Sequence, residues 1–419
     1  MAEREVLVYL EFGGAPQLVG RLWGHLRGGR ESATFAYDHA WLRHPARFSL
    51  EPALMLGPGA FHTEPGRLLF GSIGDSAPDR WGRLLMRQAE RQRARSDGEQ
   101  PRTLHELDYL LRVYDEARQG ALRFAETEGG PFQAASGRPV PPMVALPQLL
   151  VAADHIATDG GTDDEVRMLL APGSSLGGAR PKASVRLPTG ELAIAKFPQP
   201  ADDYDVVAWE AVALALADRA RVPVPEWRLD RVAGRRVLIS RRFDRAAGTG
   251  RVPFLSAMSM LGARDNQTRS YLELVDAIHL YGAAPSLDSQ GLWRRIVLYV
   301  LISNTDDHLR NLGFLYSGTD GWRLSPAYDL NPVPTDLKPR VLSTAIDFDE
   351  TVASLPLALE VADYFGLKPA AARQIAGEVG RAVASWREEA ARLDLTNREI
   401  ERMASAFEHD DLRLAAGSG

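Results

Sequence analysis

The chain has 419 residues, which is enough for two or three domains that each bury a core. With 45% hydrophobic and 25% charged residues it has the composition of an ordinary globular protein, and its net charge of −6 argues against nonspecific nucleic-acid binding by the whole chain. The absence of cysteine excludes disulfides, thiol catalysis and cysteine-based zinc sites. The N-terminus lacks the apolar core of a signal peptide and no apolar run could span a bilayer, so we expect a cytoplasmic protein that does not enter a membrane.

The first part of the chain is rich in predicted strands. Alternating apolar residues, with Gly and Pro between them, predict three short strands at 5–12, 17–23 and 32–37. A helix is predicted from Ser76, and it runs into the basic stretch 91–95. We interpret that stretch as a solvated helix end, with contact to nucleic acid or an acidic partner as the alternative. Thr103 and Glu106 form a capping-box pattern ahead of a helix at 107–113.

A glycine-containing loop follows the stretch 126–145, whose Gly, Pro, Glu and Ser content predicts a domain boundary. The loop spans 172–182, contains Gly177 and Gly178, and leads into a strand at 183–187. Glycines let backbone N–H groups approach a phosphate without interference from a Cβ atom. The pattern is neither a Walker A loop nor the kinase Gly-x-Gly-x-x-Gly, and a tight hairpin turn explains it equally well.

The next predicted strand, 192–196, ends in a lysine. Its last residues, from Ala193 to Lys196, resemble the strand-lysine motif of protein kinases. Because an unpaired ammonium is costly to bury, this lysine implies an acidic neighbour or a phosphate. Glu210, in the amphipathic helix predicted at 204–220, is the candidate partner, and an exposed helix charge is the alternative. Two more strands lead to Arg241, where a two-lobed kinase has its hinge.

An apolar helix predicted at 291–303 ends at a polar cluster. Within it, Asp306 and Asn311 are separated by four residues, which is the spacing of the protein-kinase catalytic loop. In that loop the Asp accepts the proton of the substrate hydroxyl and the Asn holds Mg²⁺. Asp329 follows a hairpin-like segment, as the metal-binding Asp of kinases does, and the three oxygen-bearing side chains suit Mg²⁺ and phosphate.

A hydrolytic metal site is the competing interpretation of the same cluster. It would use Asp306, Asp307 and His308 as ligands. The sequence contains no second His/Asp cluster at ligand spacing to complete such a site. Asp307 receives no role in either interpretation beyond that of a loop residue.

The remaining elements are mostly helices, and they settle the expected fold class. Helices are predicted at 271–281, 357–365, 370–393 and 397–407, with Thr396 as the N-cap of the last. We therefore expect an α+β, bilobal kinase-like fold with a β-rich N-terminal subdomain and a mostly helical C-terminal lobe. The expected domains are an N-terminal subdomain, a kinase N-lobe with the glycine loop and strand lysine, and a helical C-lobe, at 1–140, 141–255 and 256–419.

Five motifs, taken in order, resemble those of a known family. They are Ser175-Leu-Gly-Gly-Ala-Arg-Pro-Lys182, Ala195-Lys-Phe-Pro198, Arg242-Phe-Asp-Arg245, Asn304-Thr-Asp-Asp-His-Leu-Arg-Asn311 and Tyr328-Asp-Leu330. The chain resembles the HipA-type serine/threonine kinases of bacterial toxin–antitoxin systems, and the strands of its N-terminal part also look like that family's first subdomain. The resemblance spans nearly the whole chain.

The resemblance implies a catalytic and metal-binding group in the polar cluster. Asp306 would be the catalytic base that orients the substrate hydroxyl, and Asn311 and Asp329 would hold Mg²⁺. His308 matches a family histidine beside the catalytic loop; it is a candidate cofactor-binding residue, and its expected role is to brace the loop through a hydrogen bond.

The resemblance also implies an ATP site farther upstream. Lys196 would contact the phosphates, and the backbone from Arg241 to Phe243 would receive the adenine. The residues expected to cover the phosphates are those of the glycine loop: Ser175, Gly177, Gly178, Ala179 and Lys182. Arg180, Pro181 and Arg241 depart from the family pattern without touching the chemistry.

The resemblance further implies how such a protein is regulated and what it binds. Ser175, or its neighbour Ser174, would be autophosphorylated, and the added charge beside the ATP phosphates would expel the loop and silence the kinase. The expected partners are ATP, a translation-related protein substrate such as an aminoacyl-tRNA synthetase, and a helix-turn-helix, HipB-like antitoxin that alone contacts DNA. The expected outcome is growth arrest. The alternatives are a small-molecule phosphotransferase and a catalytically idle partner or co-repressor of a DNA-binding antitoxin.

Overall fold

The computed structural model describes residues 2–135, 139–158, 160–173, 178–246, 250–318 and 321–417. The chain divides into two compact units. The first comprises Met1–Pro200, Arg231–Arg235 and Ile239–Leu255, and the second comprises Ala201–Asp230, Arg236–Leu238 and Ser256–Gly419. The three-domain prediction divides the chain by a different criterion and stays a prediction.

An antiparallel sheet begins the first unit. Its strands are β1 (Ala2–Leu10), β2 (Gln17–Arg27), β3 (Arg30–Tyr37), β4 (Ala60–His62) and β5 (Leu122–Ala125), in the spatial order β4-β3-β2-β1-β5. Gly28 and Gly29 have φ angles of 56° and 76°, which suits the two-residue turn between β2 and β3. Buried side chains of these strands include Val6, Val8, Val19, Leu22 and Phe35. The predicted β-rich start of the chain is confirmed.

The helices of the first unit cover its middle part. They are α1 (His39–Arg43), α2 (Gly71–Gly74), α3 (Arg80–Asp97), α4 (Glu106–Arg112), α5 (Leu146–Ala157) and α6 (Asp163–Gly173), with a 3-10 turn at Met143–Ala145. The first turn of α3 is capped by Asp79, whose carboxylate accepts a hydrogen bond from the Gly82 N–H at 2.8 Å. The helix ends at Gly98, which has a φ of 68°.

The capping box predicted for α4 is wrong in its residues. The helix begins at Glu106, and its N-cap is His105 instead of Thr103. The Asp108 carboxylate accepts a hydrogen bond from the His105 N–H at 3.1 Å, and Glu31 of β3 accepts one from the Glu106 N–H at 2.7 Å. Because these bonds satisfy the first turn, the Thr103 pattern is not used.

Two further sheets follow. The first contains β6 (Lys182–Arg186), β7 (Leu192–Lys196), β8 (Trp227–Val232) and β9 (Arg235–Arg241), in the order β6-β7-β9-β8. The second contains β10 (Phe254–Ser256), β11 (Gly313–Tyr316) and β12 (Trp322–Leu324), in that order. Ala233 and Gly234 both have positive φ in the turn from β8 to β9. The predicted strand that carries Lys196 is confirmed.

The second unit is mostly helical, as predicted. Its helices are α7 (Val206–Arg219), α8 (Ala257–Met260), α9 (Tyr271–Tyr281), α10 (Pro285–Leu301), α11 (Leu355–Glu360), α12 (Pro369–Ala384), α13 (Trp386–Arg392), α14 (Asn397–Arg402), α15 (Ala404–Phe407) and α16 (Asp410–Ala416), with a 3-10 turn at Ala362–Phe365. Trp209 of α7 packs against Trp386 and Phe407, with ring centroids 6.1 and 5.9 Å away. No helix among the described residues is long and apolar enough to cross a membrane.

Several helix bounds in the second unit differ from the prediction, and the helix predicted at 397–407 is divided into α14 and α15. Helix α10 begins at Pro285, six residues before the predicted start, because proline is well tolerated in a first turn. The helix predicted at 370–393 is two helices that meet at Ser385, whose hydroxyl donates to the Ala382 carbonyl at 2.8 Å. The predicted N-cap Thr396 is confirmed, with Glu399 completing a capping box.

Candidate active site

The polar cluster lies where α10 ends, inside the second unit. Ser303 has a φ of 51°, and this left-handed residue turns the chain out of the helix. Asn304 is 1% exposed, and its side-chain oxygen accepts a hydrogen bond from the Asn331 N–H at 3.0 Å. This bond ties the start of the loop to the chain just after Asp329. We call residues 304–311 the catalytic loop below.

The catalytic loop presents Asp306 to solvent while holding Asn311 in place. The Asp306 side chain is 50% exposed, whereas Asn311 as a whole is only 7% exposed. The Asn311 side-chain amide donates to the Asp306 carbonyl oxygen at 2.9 Å. His308 Nε2 lies 3.9 Å from an Asp306 carboxylate oxygen, so the two side chains share one edge of the loop. A carboxylate in this setting can accept a proton from a substrate hydroxyl.

Asp329 has a left-handed backbone and follows a residue that is bonded to the catalytic loop. Its φ of 52° is uncommon for a residue other than glycine, and such strain is concentrated at functional sites. The preceding residue, Tyr328, donates its hydroxyl to the Arg310 carbonyl at 2.9 Å. This bond links the residues immediately before Asp329 and Asn311, the two expected Mg²⁺ ligands, within the second unit.

The donor chemistry of these residues fits Mg²⁺. With its nitrogen bonded to the Asp306 carbonyl, Asn311 has its oxygen available to face a cation, and Asp329 adds a carboxylate. Among the described residues, no group of three or more His, Asp or Glu side chains gathers at metal-binding geometry. The Mg²⁺ hypothesis therefore relies on two protein ligands, with phosphate oxygens and water as the others.

Asp307 has contacts that the sequence did not indicate. It is 4% exposed, and its carboxylate accepts a hydrogen bond from the Tyr271 hydroxyl at 2.6 Å and from the Ser343 and Thr344 backbone N–H groups. Burial raises the pKa of this carboxyl to about 6, against the effect of its hydrogen bonds. Asp307 is a buried hydrogen-bond acceptor at the centre of the catalytic loop. The sequence had assigned it no role beyond that of a loop residue.

The described part of the glycine loop lies in the first unit. Ser174, Ser175 and Gly177 fall outside the described residues, so the predicted autophosphorylation site does too. Gly178 and Ala179 are exposed. Gly178 has a φ of 103°, and a Cβ atom there would lie 2.7 Å from Lys182 Nζ. Only glycine fits this position without displacing that ammonium.

Lys182 is buried, with 3% of its surface exposed, and it pairs with an acid of the same unit. Its Nζ lies 3.5 Å from the carboxylate of Asp79, the N-cap of α3. The Trp81 indole N–H donates to the Lys182 carbonyl at 3.0 Å. The role of Lys182 in covering the phosphates of ATP stays a prediction.

Lys196 lies directly opposite Lys182 in the β6–β7 pair. Like charges at facing positions of a sheet are unfavourable unless a negative group is near, and the Asp79 carboxylate beside Lys182 is such a group. Glu210 is buried in α7, with 5% exposure, so its description as an exposed helix charge is wrong. Its pairing with Lys196 stays a prediction.

At the predicted hinge, Arg242 and Asp244 form a buried ion pair within the first unit. Arg241 at the end of β9 pairs with Glu191, while Phe243 is half-buried. Asp244 accepts hydrogen bonds from Arg242 and from the Gly120 N–H, the latter at 2.7 Å. Although burial opposes ionisation, the neighbouring arginines hold the pKa of Asp244 below its usual range. The ion pair and the bond from Gly120 hold the backbone at which adenine binding is predicted.

Comparison with known proteins agrees with the family resemblance that the five motifs indicated. The sequence matches the family of the HipA-like C-terminal domain over residues 174–386, a little more than half of the chain. A search of curated proteins finds no match. Among solved structures, the chain is similar to one from the complex of HipA, HipB and operator DNA of the Shewanella oneidensis MR-1 toxin–antitoxin system. The identity is 17%, the TM-score is 0.65, and the match covers 99% of this chain and 96% of that chain.

A second solved structure is similar over a smaller part. It is the Helicobacter pylori proinflammatory kinase CtkA, with 14% identity and a TM-score of 0.36, covering 56% of this chain and 94% of that chain. The likeness to the Shewanella protein concerns the fold. At that level it agrees with the expected α+β architecture over nearly the full length.

Proposed function

Because the chain belongs to the HipA family through its HipA-like C-terminal domain, we propose that it is an ATP-dependent kinase that phosphorylates a serine or threonine of another protein. The observation that carries this proposal is the catalytic loop. Asp306 is half-exposed there, Asn311 is fixed to its carbonyl oxygen, and the Tyr328 hydroxyl bonds the residue before Asp329 to the residue before Asn311. This arrangement supplies a proton acceptor and two oxygen ligands within one unit.

In this proposal the chain contributes positioning and charge. Asp306 orients the substrate hydroxyl and accepts its proton, while Asn311 and Asp329 hold Mg²⁺. Lys196 contacts the phosphates of ATP, and the loop through Gly178 and Ala179 covers them. ATP supplies the phosphoryl group, and the cation bound with it offsets the charge of its phosphates.

The wider role that we propose is that of a toxin in a toxin–antitoxin system. The similar Shewanella protein was solved in a complex with HipB and operator DNA. By analogy, the partner here is a helix-turn-helix antitoxin in the cytoplasm, and DNA is contacted through that partner. The substrate would be a translation-related protein such as an aminoacyl-tRNA synthetase, and phosphorylation of Ser175 or Ser174 would silence the kinase.

Replacing Asp306 with asparagine tests the proposal. The change keeps the size of the side chain and removes the proton acceptor, so transfer of labelled phosphate from ATP to proteins of a cell lysate should fall at least about 100-fold. Nucleotide binding should be retained. Asp410→Asn is the matched control, because this carboxylate belongs to the same unit and its side chain is 95% exposed. Transfer that survives Asp306→Asn would contradict the assigned base.

The same reaction separates the alternatives. Phosphopeptide mapping should place the label on serines or threonines of lysate proteins and on Ser175 or Ser174 of the chain itself. Label that appears only in small molecules indicates a small-molecule phosphotransferase. If Asp306→Asn remains as toxic as the parent when expressed, the chain acts as a catalytically idle partner or co-repressor instead.

A further inference from the structure

Asp307 lies beside the proposed base, yet its side chain is turned into the interior of the second unit. Its Oδ2 accepts hydrogen bonds from the Tyr271 hydroxyl at 2.6 Å and the Thr344 N–H at 3.4 Å. Its Oδ1 accepts one from the Ser343 N–H. In return, the Thr344 hydroxyl donates to the Asp307 carbonyl at 2.8 Å. None of the proposed catalytic or metal-binding roles uses these bonds.

The chemistry of the contacts explains why this position is an aspartate. All three groups that face the carboxylate are donors, one O–H and two N–H, so the side chain must offer two acceptor oxygens and no donor. Asparagine has the same size but would turn its NH₂ group toward one of these donors. A buried donor left without an acceptor is costly, so asparagine cannot replace the carboxylate without a shift of the loop.

Thr305, which precedes the proposed base Asp306, is hydrogen-bonded to the same segment of the chain, residues 338–345. The Thr305 carbonyl accepts hydrogen bonds from Lys338 Nζ at 2.8 Å and from the Ser343 hydroxyl at 3.2 Å. Asp306 therefore stands between two residues that are both fastened to residues 338–345. Since both neighbours are held, the half-exposed Asp306 side chain has its direction set by the backbone on either side.

Residues 338–345 are themselves held firmly. The Ala345 carbonyl accepts a hydrogen bond from the Tyr271 N–H at 2.9 Å, and the Ala345 N–H donates to the Arg269 carbonyl at 2.9 Å. This attaches the segment to the start of α9, which is the helix that also supplies the Tyr271 hydroxyl to Asp307. Helix α9, residues 338–345 and the catalytic loop thus form one hydrogen-bond network around the Asp307 carboxylate.

We propose that Asp307 is a positioning residue for phosphoryl transfer, which holds the catalytic loop against residues 338–345 so that Asp306 meets the substrate hydroxyl and Asn311 meets the cation. Its catalytic consequence rests on the proposed kinase function. A displacement of about 1 Å can slow a reaction about 100-fold, so loss of this anchor should act on kcat. Binding of ATP, for which we assign other residues, should be unaffected.

The test compares kcat and KM for ATP in four variants of the full chain. Asp307→Asn should lower kcat between about 10- and 100-fold, with KM for ATP within about twofold of the parent. Thr344→Val removes only the hydroxyl bond to the Asp307 carbonyl and should lower kcat by about 5-fold. Thr344→Ser restores the hydroxyl and should recover the parental kcat. Asp410→Asn is the control for an exposed carboxylate in the same unit, because Asp410 pairs with Arg413 within α16.

Hydrogen exchange measured on the same proteins gives a readout that does not require activity. In Asp307→Asn, exchange should rise at the Ser343 and Thr344 amides and across 304–311, with α12 unchanged as the internal reference. Unchanged kcat together with unchanged exchange would overturn the proposal. The proposal would also be overturned if Thr344→Val lowered kcat and Thr344→Ser did not restore it. If Asp307→Asn does not fold, the two Thr344 variants test the proposal on their own.

The experiment also separates this proposal from the kinase assignment. If the parent protein transfers no phosphate but Asp307→Asn raises exchange in the catalytic loop, the kinase assignment fails and the anchoring by Asp307 stands. If the parent is active and neither readout changes in the variants, the kinase assignment stands and the positioning role fails.

Discussion

The glycine loop of the first unit and the catalytic loop of the second are fastened by opposite means. In the first, the buried ammonium of Lys182 pairs with the Asp79 carboxylate, so the attachment depends on two charges. In the second, the buried carboxylate of Asp307 faces only neutral O–H and N–H donors. With only neutral donors facing it, the Asp307 carboxyl has its pKa raised to about 6 by burial. The first attachment therefore depends on charge, and the second depends on the positions of neutral donors.

The largest expected effect on stability comes from breaking the charged attachment. Asp79→Ala leaves the Lys182 ammonium buried without this partner and removes the N-cap of α3. Loss of one member of a buried ion pair typically costs 3–5 kcal/mol and loss of a cap about 1 kcal/mol, so we expect a decrease of about 4 kcal/mol in the free energy of unfolding. Urea unfolding of the full chain measures it.

Asp79→Asn is the matched control for that change. Asparagine is as good an N-cap as aspartate, so this variant removes the charge and keeps the cap. It should fall between the parent and Asp79→Ala. If the two variants lose the same stability, the ion pair contributes all of the effect and the cap none; if Asp79→Asn equals the parent, the attachment does not depend on charge and the contrast between the two loops fails.

A smaller effect is expected at His409, which supports the chain just ahead of the catalytic loop. Its Nε2 lies 3.2 Å from the Leu301 carbonyl at the end of α10, and burial, together with Arg340, lowers the pKa of His409 to about 4. The unfolded chain takes up this proton near pH 6.5, so it binds more protons than the folded chain between pH 6.5 and 4. Stability is therefore lost as the pH falls through that window.

His409→Gln should remove this part of the pH dependence. Between pH 7 and 4.5 the parent should lose about 2 kcal/mol more stability than the variant. Urea unfolding of both proteins at the two pH values provides the measurement. A variant whose stability changes with pH as steeply as the parent's would show that His409 is not the group responsible.

The smallest effect is expected from the exposed tether of the catalytic loop. Arg310 pairs with Asp265 at 2.9 Å, with side chains 49% and 69% exposed. Exposed pairs of this kind contribute little, so Asp265→Asn should change the free energy of unfolding by less than about 0.5 kcal/mol. Thermal unfolding at low and high salt checks this. A larger loss would mean that charge matters for the catalytic loop as well, against the contrast drawn above.

The sequence predicted those features that depend on neighbouring residues. The alternation of β1 to β3, the strand ending in Lys196 and the four-residue gap from Asp306 to Asn311 are all local patterns, and the predicted strands and the mostly helical second unit are found in the structure. The capping pattern at Thr103 failed because its competitor is Glu31, which comes from a distant strand. Local patterns indicate what can form, and tertiary contacts decide which of two options does.

The features that the sequence did not predict depend on distant partners. Asp307 meets Tyr271 and Thr344 at separations of 36 and 37 residues. Nothing in the residues adjacent to Asp307 distinguishes it from Asp306, although one side chain is buried and the other is half-exposed. Likewise, the pairing of Lys182 with Asp79 joins residues 103 positions apart. A single sequence carries no sign of either meeting.

The way in which residues 338–345 are held has a consequence for control. In kinases that are switched on by phosphorylation, the segment after the metal-binding Asp becomes ordered only when a phosphate pairs with arginines. Here that segment is already ordered by Asp307, Lys338 and the start of α9, through bonds that need no phosphate. On the proposed function, this segment would need no activating phosphate, and control of the activity would have to act at another part of the molecule.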